Sequence, residues 1–276
     1  MYELSLNQYN LIVTILSLAV GAMGVAAVFF FAQRSEVLPR YRLSLTLLSL
    51  VGLISAYNYY RLYETWQASF VIVNGVVRST GVPYTDIFRY ADWLLTVPLL
   101  LTAFVFVLDL SARQARLRSG VLVMLSVEML ALGYPGQIAS NIETRWLWWG
   151  AAMMPFFIIF YQLYVGLAKT LNAEPMEART LAKAARLVTV STWSVYPVLF
   201  VLPLLGFTGS TMFIATEAGY AAADIMSKAL VGVLICMAAT SKSALRVEAS
   251  GLSSAALRGM GVTPGTAAAA RSVPVA

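Results

Sequence analysis

The stretch AAADIMSKALVGVLICMAAT, residues 221–240, decides how this chain is read. It is apolar over the ~20 residues that a helix needs to cross a bilayer, yet it contains Asp224 and Lys228. A charged side chain at mid-span costs about 2.5–3.5 kcal/mol on insertion scales. Two of them in one segment therefore need partners or a task. Four residues apart, they share one helix face. Lys228 sits about midway along the span, too deep to reach an interface by snorkelling. Two readings stand at this point. The residues form a structural ion pair, or the lysine is held out of water so that its neutral amine can form a Schiff base with an aldehyde.

The rest of the chain sets the class. Of 276 residues, 59% are hydrophobic and 12% charged, against about 25% charged in ordinary soluble domains. Seven apolar segments of membrane length follow one another at about 8–32, 41–63, 86–109, 119–136, 144–168, 184–206 and 212–241. The expected fold is an all-α membrane protein, a bundle of seven transmembrane helices occupying residues 1–247. The N-terminus has neither a basic n-region nor a small-residue cleavage site, so the first helix is expected to serve as its own insertion signal. FVIVNGVVRS, 70–79, places β-rich arms around Asn74-Gly75 and predicts a short extracellular hairpin between helices 2 and 3. Residues 248–276, rich in Ala, Gly, Ser, Thr and Pro, read as a disordered cytoplasmic tail.

Charge gives the orientation. Arg34, Arg40, Arg42, Arg113, Arg116, Arg118, Lys169, Arg179, Lys183, Arg186, Lys242 and Arg246 fall on one side, and Arg61, Arg78, Arg89 and Arg145 on the other. The positive-inside rule puts the first group in the cytoplasm, the N-terminus outside and the C-terminus inside, in a multi-pass plasma-membrane protein. The net charge of +6 is thus a topology signal, and no nucleic-acid partner is expected. With no histidine and the single cysteine Cys236 in an apolar run, His-ligated metal sites, imidazole relays and disulfides are excluded, and no metal site is expected.

Helix 3 carries a second charged set. Arg89, Asp92, Trp93 and Thr96 fall at spacings that turn them to one side. Arg89 and Lys228 against Asp92 and Asp224 make a balanced interior, a pattern for which retinal counter-ions are one known explanation. Glu128 lies deep in the fourth segment and is expected to be hydrogen-bonded or protonated there in a structural role.

RYADWLLTVP at 89–98, WSVYP at 193–197 and DxxxK at 224–228 together resemble the microbial rhodopsins, over about residues 5–245. The second helix looks most like the proteorhodopsin and xanthorhodopsin branch. The resemblance implies all-trans retinal bound covalently at Lys228, with Asp92 as proton acceptor and counter-ion and Asp224 as second counter-ion. Trp93, Trp193, Tyr196 and Pro197 look like members of the retinal cage, and Tyr59 like a neighbour of Asp224. Leu100 looks like the branch's colour-tuning position, where an apolar residue accompanies green absorption. Ser227 puts a polar group beside the lysine and pulls toward blue.

Departures from the family pattern are equally informative. Ala103 stands where efficient pumps keep a carboxylate that returns the proton, so slow reprotonation through entering water is expected. Asp109 is either a feeder for that water or a solvated helix-end carboxylate. Asn58 replaces the branch histidine beside the acceptor; its amide can hydrogen-bond Asp92 without sharing charge. Trp149 stands where carotenoid-binding members have glycine, so no carotenoid antenna is expected, although Gly150 is adjacent. Glu217 either joins Arg89 in proton release or is a solvated residue at the helix start. The leading expectation is a light-driven outward proton pump, not an enzyme, forming a homo-oligomer in the lipid bilayer. A photosensory rhodopsin signalling through a separate transducer is the alternative.

Overall fold

The computed structural model describes residues 3–250. Seven helical segments have the length and apolarity to cross a membrane. In chain order the elements are α1 (Leu6–Gln33), α2 (Pro39–Ser69), β1 (Phe70–Val73), β2 (Val76–Ser79), α3 (Ile87–Val107), α4 (Ala112–Ile138) and α5 (Ile142–Tyr161). A π-helical turn, Gln162–Gly166, joins α5 to α6 (Ala168–Ala173), and α7 (Met176–Val201) runs into a short 3₁₀ turn at Leu202–Leu205. The last span is α8 (Ser210–Ile225), a second π-helical turn at Met226–Leu230, and α9 (Val231–Ser250).

Most helices outrun their apolar windows. The second continues to Ser69, the fourth begins at Ala112, the sixth at Met176, and the last reaches Ser250. Hydropathy ends where charges enter, but the i→i−4 ladder needs no lipid and persists into polar sequence. Local signals set the starts. Ser5 with Gln8 and Ser111 with Gln114 form capping boxes, Asn141 caps α5, and Pro39 occupies the first turn of α2. The third helix is the exception, ending at Val107 because Leu108 turns extended at ψ 154°; Asp109 therefore leaves the helix. Of the tail expected at 248–276, residues 248–250 continue α9 and the remainder lies outside the described residues.

The hairpin forms as its turn chemistry requires. Phe70 faces Ser79 and Val73 faces Val76, with Asn74 at φ 52° and Gly75 at φ 78°, the two positive values of a type I′ turn. At one crossing α1 and α2 approach so closely that a Cβ on Gly52 would lie 2.8 Å from both Ala27 Cβ and the Met23 carbonyl oxygen.

Two apolar clusters fill the bundle. One, at the hairpin end, gathers Ile12, Leu16, Tyr59, Leu62, Trp66, Phe70, Val77 and Ile214. The other fills the opposite half with Leu45, Leu48, Leu100, Phe104, Trp193, Val231 and Ile235. Between them on the chain fall the buried polar residues Ser55, Arg89, Asp92, Thr96, Glu217, Asp224 and Lys228. That polar layer is the site.

Candidate functional site: a buried lysine at the end of an apolar cavity

Lys228 lies on the π-helical turn of the last span and is 3% exposed. Its Nζ forms a hydrogen-bonded ion pair with Asp92 Oδ2 and lies 3.1 Å from Asp224 Oδ1. Both carboxylates are buried. An ammonium between two carboxylates in so dry a place survives because each partner satisfies the other; deleting one strands the rest.

The aspartates have different surroundings. Asp224 accepts from Tyr59 Oη at 2.6 Å, Tyr196 Oη at 2.5 Å and Trp93 Nε1 at 3.0 Å. Asp92 accepts at Oδ1 from Ser55 Oγ at 2.8 Å, besides its contact with the lysine. Asp224 is thus fixed by three donors from three helices, whereas Asp92 is fixed by one and left the freer of the two to change partner.

Toward the hairpin end the polar layer continues. Arg89, 1% exposed, donates from Nη1 to Tyr59 Oη at 3.2 Å and from Nη2 to Glu217 Oε2 at 2.6 Å, and its Nε lies 3.9 Å from Asp86. Tyr84 donates to the same Glu217 oxygen at 2.7 Å. Burial, and then the charge of Glu217, push the Tyr84 phenol well above its ordinary value, so it acts as a fixed donor. Glu217 is therefore a buried partner of Arg89 and not a solvated helix-start residue. It adds a third buried carboxylate to the interior that the sequence had balanced at two against two.

On its other side Lys228 opens on an apolar, aromatic-lined cavity. The lining includes Trp93, Leu100, Trp149, Trp193, Tyr196, Pro197, Asp224, Ser227 and Lys228, all expected from sequence. It also includes Tyr90, Met129, Gly133, Met153, Phe156 and Tyr220, which sequence reasoning missed. An isolated Met, Phe or Gly on α4 and α5 has no signal to separate it from ordinary helix packing. Trp149 donates its indole N–H to the Pro197 carbonyl at 3.3 Å, while Gly150 is exposed with no neighbour near a built Cβ.

Four further residues lie apart from the lysine's contacts. Thr96 is buried, and its hydroxyl donates to the Asp92 backbone carbonyl at 2.8 Å. Asn58 is buried but donates to the Ile54 carbonyl at 2.9 Å; the α2 side chain that reaches Asp92 is Ser55, three residues earlier on the same face. Ala103 is fully buried, and its carbonyl accepts from Ser44 Oγ at 2.8 Å. Glu128 is exposed on the outer face of α4, away from the polar layer.

The fold and site define a class: a seven-span membrane protein with an internal chamber that ends on a lysine held by two acids. The chain belongs to the bacteriorhodopsin-like protein family, whose profile matches residues 10–242, and it is a microbial rhodopsin near the proteorhodopsin/xanthorhodopsin branch. It is 29% identical over 228 residues to the green-light absorbing proteorhodopsin of Gamma-proteobacterium EBAC31A08, covering 82% of this chain and 85% of that protein. Among solved structures it is similar to thermophilic rhodopsin, at 38% identity and TM-score 0.86 over 89% of this chain and 99% of that one. It is likewise similar to xanthorhodopsin, described as a light-driven ion pump with dual chromophore, at 35% identity and TM-score 0.85 over 91% and 98% of the two chains.

Proposed function

We propose that this chain is a light-driven outward proton pump, a transporter and not an enzyme, with all-trans retinal bound covalently at Lys228. The observation that carries the reading is the position of Lys228 Nζ, between Asp92 and Asp224 at the end of an apolar, aromatic-lined cavity. A long polyene suits such walls, and its aldehyde suits an amine at the far end. Retinal, linked there as a Schiff base, supplies light absorption and a change of shape that alters proton affinity at that nitrogen.

The chain's own residues do the rest. Asp92, in direct contact with the nitrogen and anchored by one hydroxyl, takes the proton. Asp224, locked by Tyr59, Tyr196 and Trp93, stays the permanent counter-charge. Arg89 and Glu217, beyond Asp92 toward the hairpin end, offer the exit. The excess of basic residues at the opposite end makes that end cytoplasmic, so release toward the hairpin is outward. We assign retinal alone and no carotenoid, because Trp149 fills the cavity wall and is held there by Pro197.

Expression with retinal, followed by external pH in unbuffered cells under green light, tests this. Acidification abolished by a protonophore supports the reading; protonophore-sensitive alkalinisation reverses the direction. A sensory role is the second reading, favoured by the buried Ala103, which cannot return a proton and so prolongs the lit state. Coloured cells with no pH change would select it.

A further inference from the structure

At the end of the bundle opposite the hairpin lies a second buried ionic cluster, far from the first. Lys242, 2% exposed, places Nζ 2.5 Å from Glu174 Oε2, itself 1% exposed, and 3.0 Å from Asp109 Oδ1. The same nitrogen donates to the Val107 carbonyl at 2.9 Å, on the last turn of α3. The Val107 contact is a hydrogen bond, whereas the two carboxylates hold the ammonium as ion pairs, and Glu174 Oε2 has no hydrogen-bond partner of its own among the described residues. Glu174 also accepts the backbone N–H of Asp109 at 2.7 Å through its other oxygen. Asp109 is further held by Arg40 at 3.1 Å, by Arg246 at 3.0 Å and by the Tyr41 hydroxyl at 3.0 Å. One knot thus ties α2, the end of α3, the segment leading into α7, and α9.

Its place in the fold gives it meaning. α3 carries Asp92, the last span carries Lys228, and α7, which starts at Met176 two residues after Glu174, carries Trp193 and Tyr196. Three of the helices that line the chamber are therefore clipped together at one end. Lys242 is fourteen residues beyond Lys228, or about 21 Å along a helix at 1.5 Å per residue. The space between is packed with apolar side chains such as Leu45, Leu48, Phe104 and Ile235, and Ala103 supplies no acid there.

Asp109 is not a stand-in donor. Burial raises its carboxyl, but Lys242 and Arg246 outweigh that and hold it below the usual value. It is ionised at neutral pH and has no proton to give. We propose that the Lys242–Glu174–Asp109 cluster is the cytoplasmic closure of the proton path, and that its opening sets the rate at which protons return toward Lys228. Lys242 and Glu174 are gating and positioning residues in this account, which rests on the pump reading above.

The test uses the full retinal-loaded protein in lipid nanodiscs, with flash excitation and dark recovery of the absorbance followed from pH 6 to 9. Because opening precedes proton entry, Lys242→Gln and Glu174→Gln should each speed recovery about tenfold or more, equivalent to ~1.4 kcal/mol, at every pH. The double variant should be no faster than the faster single one, since both act on one element. Lys242→Arg keeps the charge and should recover nearly as the unaltered protein does. If Lys242→Gln fails to assemble, Glu174→Gln and Lys242→Arg carry the comparison. Unchanged recovery in coloured, proton-releasing variants overturns the closure and leaves the pump standing. An unaltered protein that cycles in colour but moves no protons overturns both.

Discussion

Tyr59 on α2 donates its hydroxyl to Asp224 on α8 at 2.6 Å, and the same oxygen accepts from Arg89 Nη1 at 3.2 Å. A single phenol therefore links the acid beside Lys228 to the guanidinium that leads toward Glu217. Tyr59→Phe keeps the ring and removes both contacts. It should destabilise the pigment by about 1–3 kcal/mol, the cost of a charged group that loses a buried partner. The thermal bleaching midpoint reads this, and an unchanged midpoint would mean that Tyr196 and Trp93 alone hold Asp224.

On the pump reading, variants at Asp92 and Lys228 should separate retinal binding from transport. Lys228→Ala should form no visible pigment with retinal, because among the described residues lining the cavity Lys228 alone carries an amine. Asp92→Asn should still bind retinal, absorb further to the red, and lose transport by about a hundredfold or more, the usual worth of a positioned proton acceptor. Absorption spectra and light-driven pH traces on the same preparations decide both. Visible colour in Lys228→Ala would end the assignment of the attachment site.

Ala103 invites a gain of function. Ala103→Asp puts a carboxylic acid into the apolar half, next to a carbonyl that already accepts from Ser44. Dark recovery after a flash should accelerate by about tenfold or more and lose much of its dependence on external pH. No acceleration would mean that protons return by a path that avoids this position.

Asp109 gives a pH-dependent prediction. Its carboxyl is lowered from 3.8 in the folded protein, because Lys242 and Arg246 outweigh the effect of burial. A depressed acid adds stability above its ordinary value, and that stability is lost as pH falls through the folded one. The difference in thermal midpoint between the unaltered protein and Asp109→Asn should therefore be full at pH 7. It should shrink below about pH 4 as the folded carboxyl takes up its proton. A difference that stays constant down to pH 3 would contradict the ion-pair account.

How much of this was legible beforehand varied with the kind of signal. The spans and the hairpin announce themselves through hydropathy and through Asn74-Gly75, because bilayer thickness and turn geometry act on short stretches. Lys228, Asp92 and Asp224 stand out because charge in an apolar run is costly. Ser55 did not, since a serine at mid-helix costs little and has many uses; only the crossing of α2 with α3 shows that it meets Asp92 and that Asn58 does not. Glu217 was ambiguous because its partner, Arg89, is 128 residues away. Glu128 misled in the other direction, since depth along a helix says nothing about which way a side chain turns. Lys242 looked like one more topology charge, although its burial depends on Glu174 and Val107, from elements that sequence distance hides.

The π-helical turn at Met226–Leu230 places one more residue in the last span than a regular helix of that rise would hold. Each residue in an α-helix adds about 100° of rotation. The insertion therefore acts as a phase shift between two readouts on one rod, with Asp224 on the hairpin side of it and Lys242 on the other. Removing one residue from the turn would leave both charges on the same helix but aim them in directions that no longer match their partners. The Asp224 and Lys242 ends of the last span are kept in phase by that single extra residue.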